Sequence, residues 1–121
     1  MTIDSKDNIY FATSEGAFVL KHGATTPTKI NGIKGNIISL VVDSKDNIYF
    51  GKFDGAYKLS AGSTTPTKIN DTSNSTNSIT IDSKDNIYFG TNNGAYKLVV
   101  GSNTLTRINE INNYVETIAV D

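Results

Sequence analysis

Cysteine is absent from this sequence, histidine occurs once, and no apolar run approaches the length of a membrane span. Without thiols there is no disulfide framework and no thiolate metal site, and the redox compartment stays open. A bilayer-crossing helix needs roughly 18 or more consecutive apolar residues, so the sequence predicts no helical span. The first residues lack the charged-then-apolar pattern of a secretory leader, and the sequence assigns no cellular compartment. An excess of either charge is missing too. Eleven Lys and Arg stand against 12 Asp and Glu, a net charge of −1, with the two signs alternating at short range. With no basic stripe to follow a phosphate backbone, neither nucleic acid nor membrane is an expected partner. One histidine and no cysteine make an asymmetric catalytic centre hard to assemble. The sequence therefore predicts a non-enzymatic protein with no metal and no cofactor.

Repetition is what the chain does contain. The phrase DSKDNIYF stands at 4–11, 43–50 and 82–89, each start 39 residues after the last. Cut at 4–42, 43–81 and 82–120, the three copies align without a gap, and 16 of the 39 positions are identical in all of them. The whole of 1–121 reads as a single domain of three repeats, since self-similarity at a period of roughly 20–50 residues marks repeat architectures.

Within a copy the pattern is strand, turn, strand, turn. In the third, Ser78–Ile81 is a β-branched run that ends at Asp82. Ser83-Lys84-Asp85-Asn86 has turn chemistry, because Asx side chains bond their own backbone and tolerate left-handed conformations. Ile87–Thr91 is a strand, Asn92-Asn93-Gly94 a short hairpin signal, Ala95–Val100 the next strand, and Leu105–Asn109 a shorter fourth. Nothing resembles a helix. Four short antiparallel strands per 39 residues predict an all-β fold of four-stranded β-propeller blades. The unbroken Ile-Tyr-Phe triplet agrees, since a blade lying between neighbours buries both faces. A β-solenoid is the alternative, with shorter coils and fewer hairpins.

The stretch IDSKDNIYFGTNNGAYKL (81–98) resembles the blade repeat of two-component-regulator sensor propellers, and more distantly the NHL and virginiamycin-lyase type propellers. The shared pattern is Asp, a polar turn, an aromatic-containing strand ending Gly-Thr, then Gly and a small residue. The family often has Trp where this chain has Tyr10, Tyr49 and Tyr88, and Lys52 stands where Thr is expected. The resemblance implies the fold and a tendency to bind ligands or partners, and it transfers no catalytic residue. Lyase activity by analogy with related propellers is the weakest of the readings.

Propellers close with about 4–8 blades, so three are expected to require a partner. Met1 and Ile3 read as the tail of an innermost strand, and 114–120, with Tyr114, Val115, Ile118 and Val120, as a complete one. The expectation is a homodimer in which 114–120 of each chain completes the first blade of the other, giving a six-bladed ring by inner-strand exchange. The near-identity of the copies also suits a stretch excised from a longer array, or a unit engineered to self-assemble.

Divergence among the copies has a side. In propeller topology the turns after the first and third strands of a blade share one face, and here they are nearly invariant. The second-to-third loops (TSEG, KFDG, TNNG) and the blade-to-blade connections lie on the other face and differ. Drift and binding specificity both account for this. If a small molecule, glycan or peptide binds, the residues to bind it are Glu15, Lys52, Phe53, Asp54, Asn92, Asn93 and Tyr114. Phe53 stands where Ser14 and Asn92 stand in the other copies, and it either stacks on a ligand such as a sugar or packs on a neighbouring blade. The D-x-x-D-N spacing of Asp4, Asp7 and their counterparts fits turn capping better than calcium, which needs ligands at alternate positions. His22 has no repeated partner. Sequons at Asn70 and Asn74 are what chance provides in so Asn- and Thr-rich a chain.

Overall fold

The computed structural model describes residues 2–69, 75–102, 105–108 and 118. Strands β1 (Thr2–Ile3), β2 (Ile9–Thr13), β3 (Gly16–Leu20) and β4 (Thr28–Lys29) form one antiparallel sheet in chain order. Strands β5 (Ser39–Val42), β6 (Ile48–Lys52), β7 (Gly55–Leu59) and β8 (Thr67–Lys68) form a second. Strands β9 (Thr76–Ile81), β10 (Ile87–Thr91), β11 (Gly94–Leu98) and β12 (Thr106–Arg107) form the third. The described residues contain no helix. Each sheet is a blade-like meander of one repeat, called blades 1, 2 and 3 below.

The central hairpins explain the registers. Thr13 pairs with Gly16, Lys52 with Gly55 and Thr91 with Gly94, leaving two-residue loops at Ser14-Glu15, Phe53-Asp54 and Asn92-Asn93. The pairing glycine has a positive φ in all three hairpins, which favours a residue without a Cβ. In blades 1 and 3 the Thr hydroxyl fastens the hairpin by donating to the Gly carbonyl at 2.8 Å.

The third strand of blade 3 is shorter than its apolar run predicts. Val99 and Val100 lie outside β11, at 44% and 54% exposure. Two bonds end the strand there: Val100 N–H donates to Asn86 Oδ1, and Ser102 N–H donates back to the Val99 carbonyl. A side chain 14 residues upstream thus overrides local strand propensity.

The core lies between sheets. Tyr10, Ala17 and Val19 of blade 1 pack on Leu40, Ile48, Phe50 and Leu59 of blade 2. Val41, Tyr49 and Ala56 of blade 2 pack on Ile79, Ile87, Phe89 and Leu98 of blade 3. Side chains alternate between sheet faces, so each blade offers a Tyr face to the next blade and an Ile/Phe/Leu face to the previous one. Gly51 permits the close approach at the second seam, since a Cβ there would sit 2.5 Å from the Thr76 carbonyl oxygen of blade 3.

Candidate functional site

The repeated phrase builds a closed network inside each blade. In blade 1, Asp4 Oδ1 accepts from the backbone N–H groups of Lys6 and Asn8, and Oδ2 accepts from Asn8 Nδ2 and the Tyr10 hydroxyl. Asn8 Oδ1 then reaches across to accept from His22 N–H at 2.9 Å. The same bonds recur around Asp43–Asn47–Tyr49 and Asp82–Asn86–Tyr88, with Ala61 N–H and Val100 N–H in the place of His22. Asp7, Asp46 and Asp85 occupy left-handed backbone at φ 64°, 68° and 66°, a conformation that Asp and Asn tolerate. The first- and third-strand turns are therefore stapled together on one face. The tyrosine hydroxyls point to an internal carboxylate rather than to solvent. No group of three or more His, Asp or Glu among the described residues is arranged to hold a metal.

The network sets the acid and alkaline behaviour. At Asp82 the Asn86 amide, with further donors, outweighs desolvation and holds the carboxyl down at about 2. At Asp4 burial acts in the opposite sense, and the combined donors of Asn8, Lys6 and Tyr10 still leave it lowered. Burial, and then the adjacent aspartates, push Tyr10 and Tyr49 up to about 12. Unfolding returns the aspartates to near 3.8, so the unfolded chain takes up protons first as the pH falls. Their stabilisation is complete above pH 4 and is lost progressively towards pH 2. The tyrosine contribution is complete below pH 10 and is lost as the pH rises towards 12. Urea midpoints measured across this range are expected to form a plateau with both shoulders; a midpoint unchanged from pH 4 to pH 2.5 contradicts the carboxylate account.

Beyond this shared scaffold, the copies differ in what covers them. In blade 2 the whole Ile48-Tyr49-Phe50 triplet is buried. In blade 1 only Tyr10 is buried, with Ile9 and Phe11 half-exposed. In blade 3 the pattern inverts, with Ile87 and Phe89 buried and Tyr88 half-exposed. The uncovered flank of blade 1 continues through Leu20, which is half-exposed where Leu59 and Leu98 are buried, to Ile3 at 57% exposure. Ile3 and Leu20 both pair with Ile9 and share its face. The inner edge of this blade is open as well, since β1 pairs only Thr2 and Ile3 with β2 while β5 pairs four residues with β6. Ile118 lies beside the inner strand of blade 3, its N–H donating to Ser78 Oγ at 2.9 Å. Of the other assembly residues, Met1, Tyr114, Val115 and Val120 lie outside the described residues.

The hairpin loops carry the expected ligand residues separately rather than as one cluster. Lys52, Phe53 and Asp54 share the β6–β7 hairpin: Lys52 Nζ lies 5.5 Å from the Tyr57 ring centre, and Tyr57 donates to the Asp54 carboxylate at 3.0 Å. Phe53 is 67% exposed, so it does not pack on a neighbouring blade. Glu15 is exposed on the blade 1 hairpin, its N–H donating to Thr13 Oγ1. In blade 3, Asn92 Oδ1 accepts from Asn77 Nδ2, and the Asn93 carbonyl accepts from Arg107. No hydrogen bond or ion pair joins the three hairpins to one another among the described residues. Tyr114 and the sequon residues Asn70 and Asn74 lie outside the described residues. No family model matches the chain, and no curated protein matches it.

Proposed function

We propose that the chain is a non-enzymatic, self-assembling β-propeller module, two copies of which close a six-bladed ring that serves as a binding scaffold. The kinship to two-component-regulator sensor propellers belongs to this reading. The observation that carries it is the complementary burial of the triplet. The Tyr face left open on blade 3 and the Ile/Phe/Leu face left open on blade 1 are the two halves of a contact the chain already makes twice internally. An apolar flank of this kind on a soluble protein calls for a cover, and a second copy supplies one of matched shape.

Polar contacts at the seams agree. Lys6 pairs with Asp46 across the first seam at 3.6 Å, and Ser44 donates to Asp85 across the second. The counterpart Asp7 has no side-chain partner among the described residues, and in a closed ring it would meet Ser83 or Lys84 of the second copy. Ile118, held against Ser78, supports the further step in which 114–120 serves as the missing inner strand of the neighbour's first blade.

Light scattering after size exclusion is expected to give twice the 13.0 kDa chain mass. Leu20→Arg is expected to return a folded species at the single-chain mass. An unaltered chain that runs at the single-chain mass, folded and soluble, overturns the proposal. The exposed Phe53 supports a second reading, a lectin-like ring, in which glycan binding is lost on Phe53→Ala with folding intact.

A further inference from the structure

Between blades 2 and 3, on the face of the invariant turns, lies a cavity of about 390 Å³. It is within the size range of small-molecule sites, roughly 300–1,000 Å³. None of the hairpin residues singled out from the sequence lines it. Its floor is apolar, built from the buried Ile69, Ile87 and Leu98. Lys58 stands on the blade 2 wall, its ammonium 5.6 Å from the Tyr49 ring centre and without an ion pair among the described residues. Asp85 faces it from blade 3, but that carboxylate already accepts from both the backbone N–H and the hydroxyl of Ser44. Val99 and Val100 form an exposed apolar lip.

The repeat supplies an internal control. At the corresponding place between blades 1 and 2, Val19 stands where Lys58 does and is buried in the core. Ser60 and Ala61 stand where Val99 and Val100 do. Neither the cation nor the branched apolar lip is required to hold two blades together. Lys68 lines the cavity as well, so two ammonium groups face the single carboxylate of Asp85 and leave a net positive charge beside exposed apolar surface, at the mouth of a concave site.

We propose that this groove binds a small organic carboxylate with an apolar body. The body lies on Ile87 and Leu98 beneath the Val99–Val100 lip, and the carboxylate accepts a charge-assisted hydrogen bond from Lys58 Nζ. The site lies within one chain, so it stands or falls independently of ring closure.

The test is a methyl NMR titration with indole-3-acetate, using the neutral indole-3-acetamide as comparator. Shifts are expected at Ile87, Leu98, Val99 and Val100, with the acid bound about tenfold more tightly than the amide. Lys58→Met is expected to remove that difference while leaving the methyl signals of Leu40 and Ile48 at the other seam in place, which reports an intact fold. Equal binding of acid and amide overturns the proposal. So do shifts confined to the open flank at Ile9 and Leu20, or no shifts at about 10 mM probe, a concentration that saturates even millimolar sites.

Discussion

Phe50→Ala is expected to destabilise the protein by about 3–5 kcal/mol, because it empties a site that is 1% exposed. The ring stacks on Tyr57 at 5.4 Å and fills the first seam. Phe89→Ala is expected to cost the same, since Phe89 is buried in the same way at the second seam. Phe11→Ala separates an isolated chain from an assembled one. The residue is identical and occupies the same place in its repeat, yet it is only partly buried. In dilute solution its removal should cost only about 1 kcal/mol. At concentrations where two copies close a ring, its cost should rise towards that of Phe50. Urea unfolding of the three variants at two protein concentrations measures this. A Phe11→Ala cost that stays small in a species of doubled mass shows that the flank is not the assembly surface.

Asp43→Ala should lower the thermal midpoint by on the order of 10 °C, read by circular dichroism. The carboxylate is 8% exposed and accepts from Lys45 N–H, Asn47 N–H, Asn47 Nδ2 and the Tyr49 hydroxyl. Removing it leaves a buried hydroxyl and an amide without partners, a loss of about 3 kcal/mol. Asp43→Asn keeps an acceptor at Oδ1 and is expected to lose about half as much. Equal melting of Asp43→Ala and wild type would mean that the phrase is maintained by something other than this network.

The sheets were legible because their determinants are local. Asx turns, Gly-terminated hairpins and a doubly apolar triplet act over a few residues, and each appears three times. The β11 end was not legible, because Asn86 acts on Val100 across 14 residues and the apolar run conceals it. The flanks lay deeper still. Ile9, Ile48 and Ile87 are the same letter in the same phrase, as are Phe11, Phe50 and Phe89. That an unclosed row of three blades leaves a flank bare at each end follows from the count alone, but identical residues do not report which face is left open, and the coordinates supply that. The groove is not legible in the sequence for a related reason. Lys58, Val99 and Val100 read as ordinary strand residues, and their distinction emerges only beside Val19, Ser60 and Ala61 at the other seam.

The Asn8, Asn47 and Asn86 staples each join two turns of the same blade and no others. A blade therefore ties its own two turns together before any neighbour arrives, and these contacts close over short stretches of chain. Folding of such an array is that of a quasi-one-dimensional chain, with an intrinsic stability per unit and a separate coupling at each seam. Gain or loss of a 39-residue copy then leaves every remaining turn intact and changes only how many seams must be closed. For a gene that grows by duplication, the number of copies is free to vary while the blade itself stays constant.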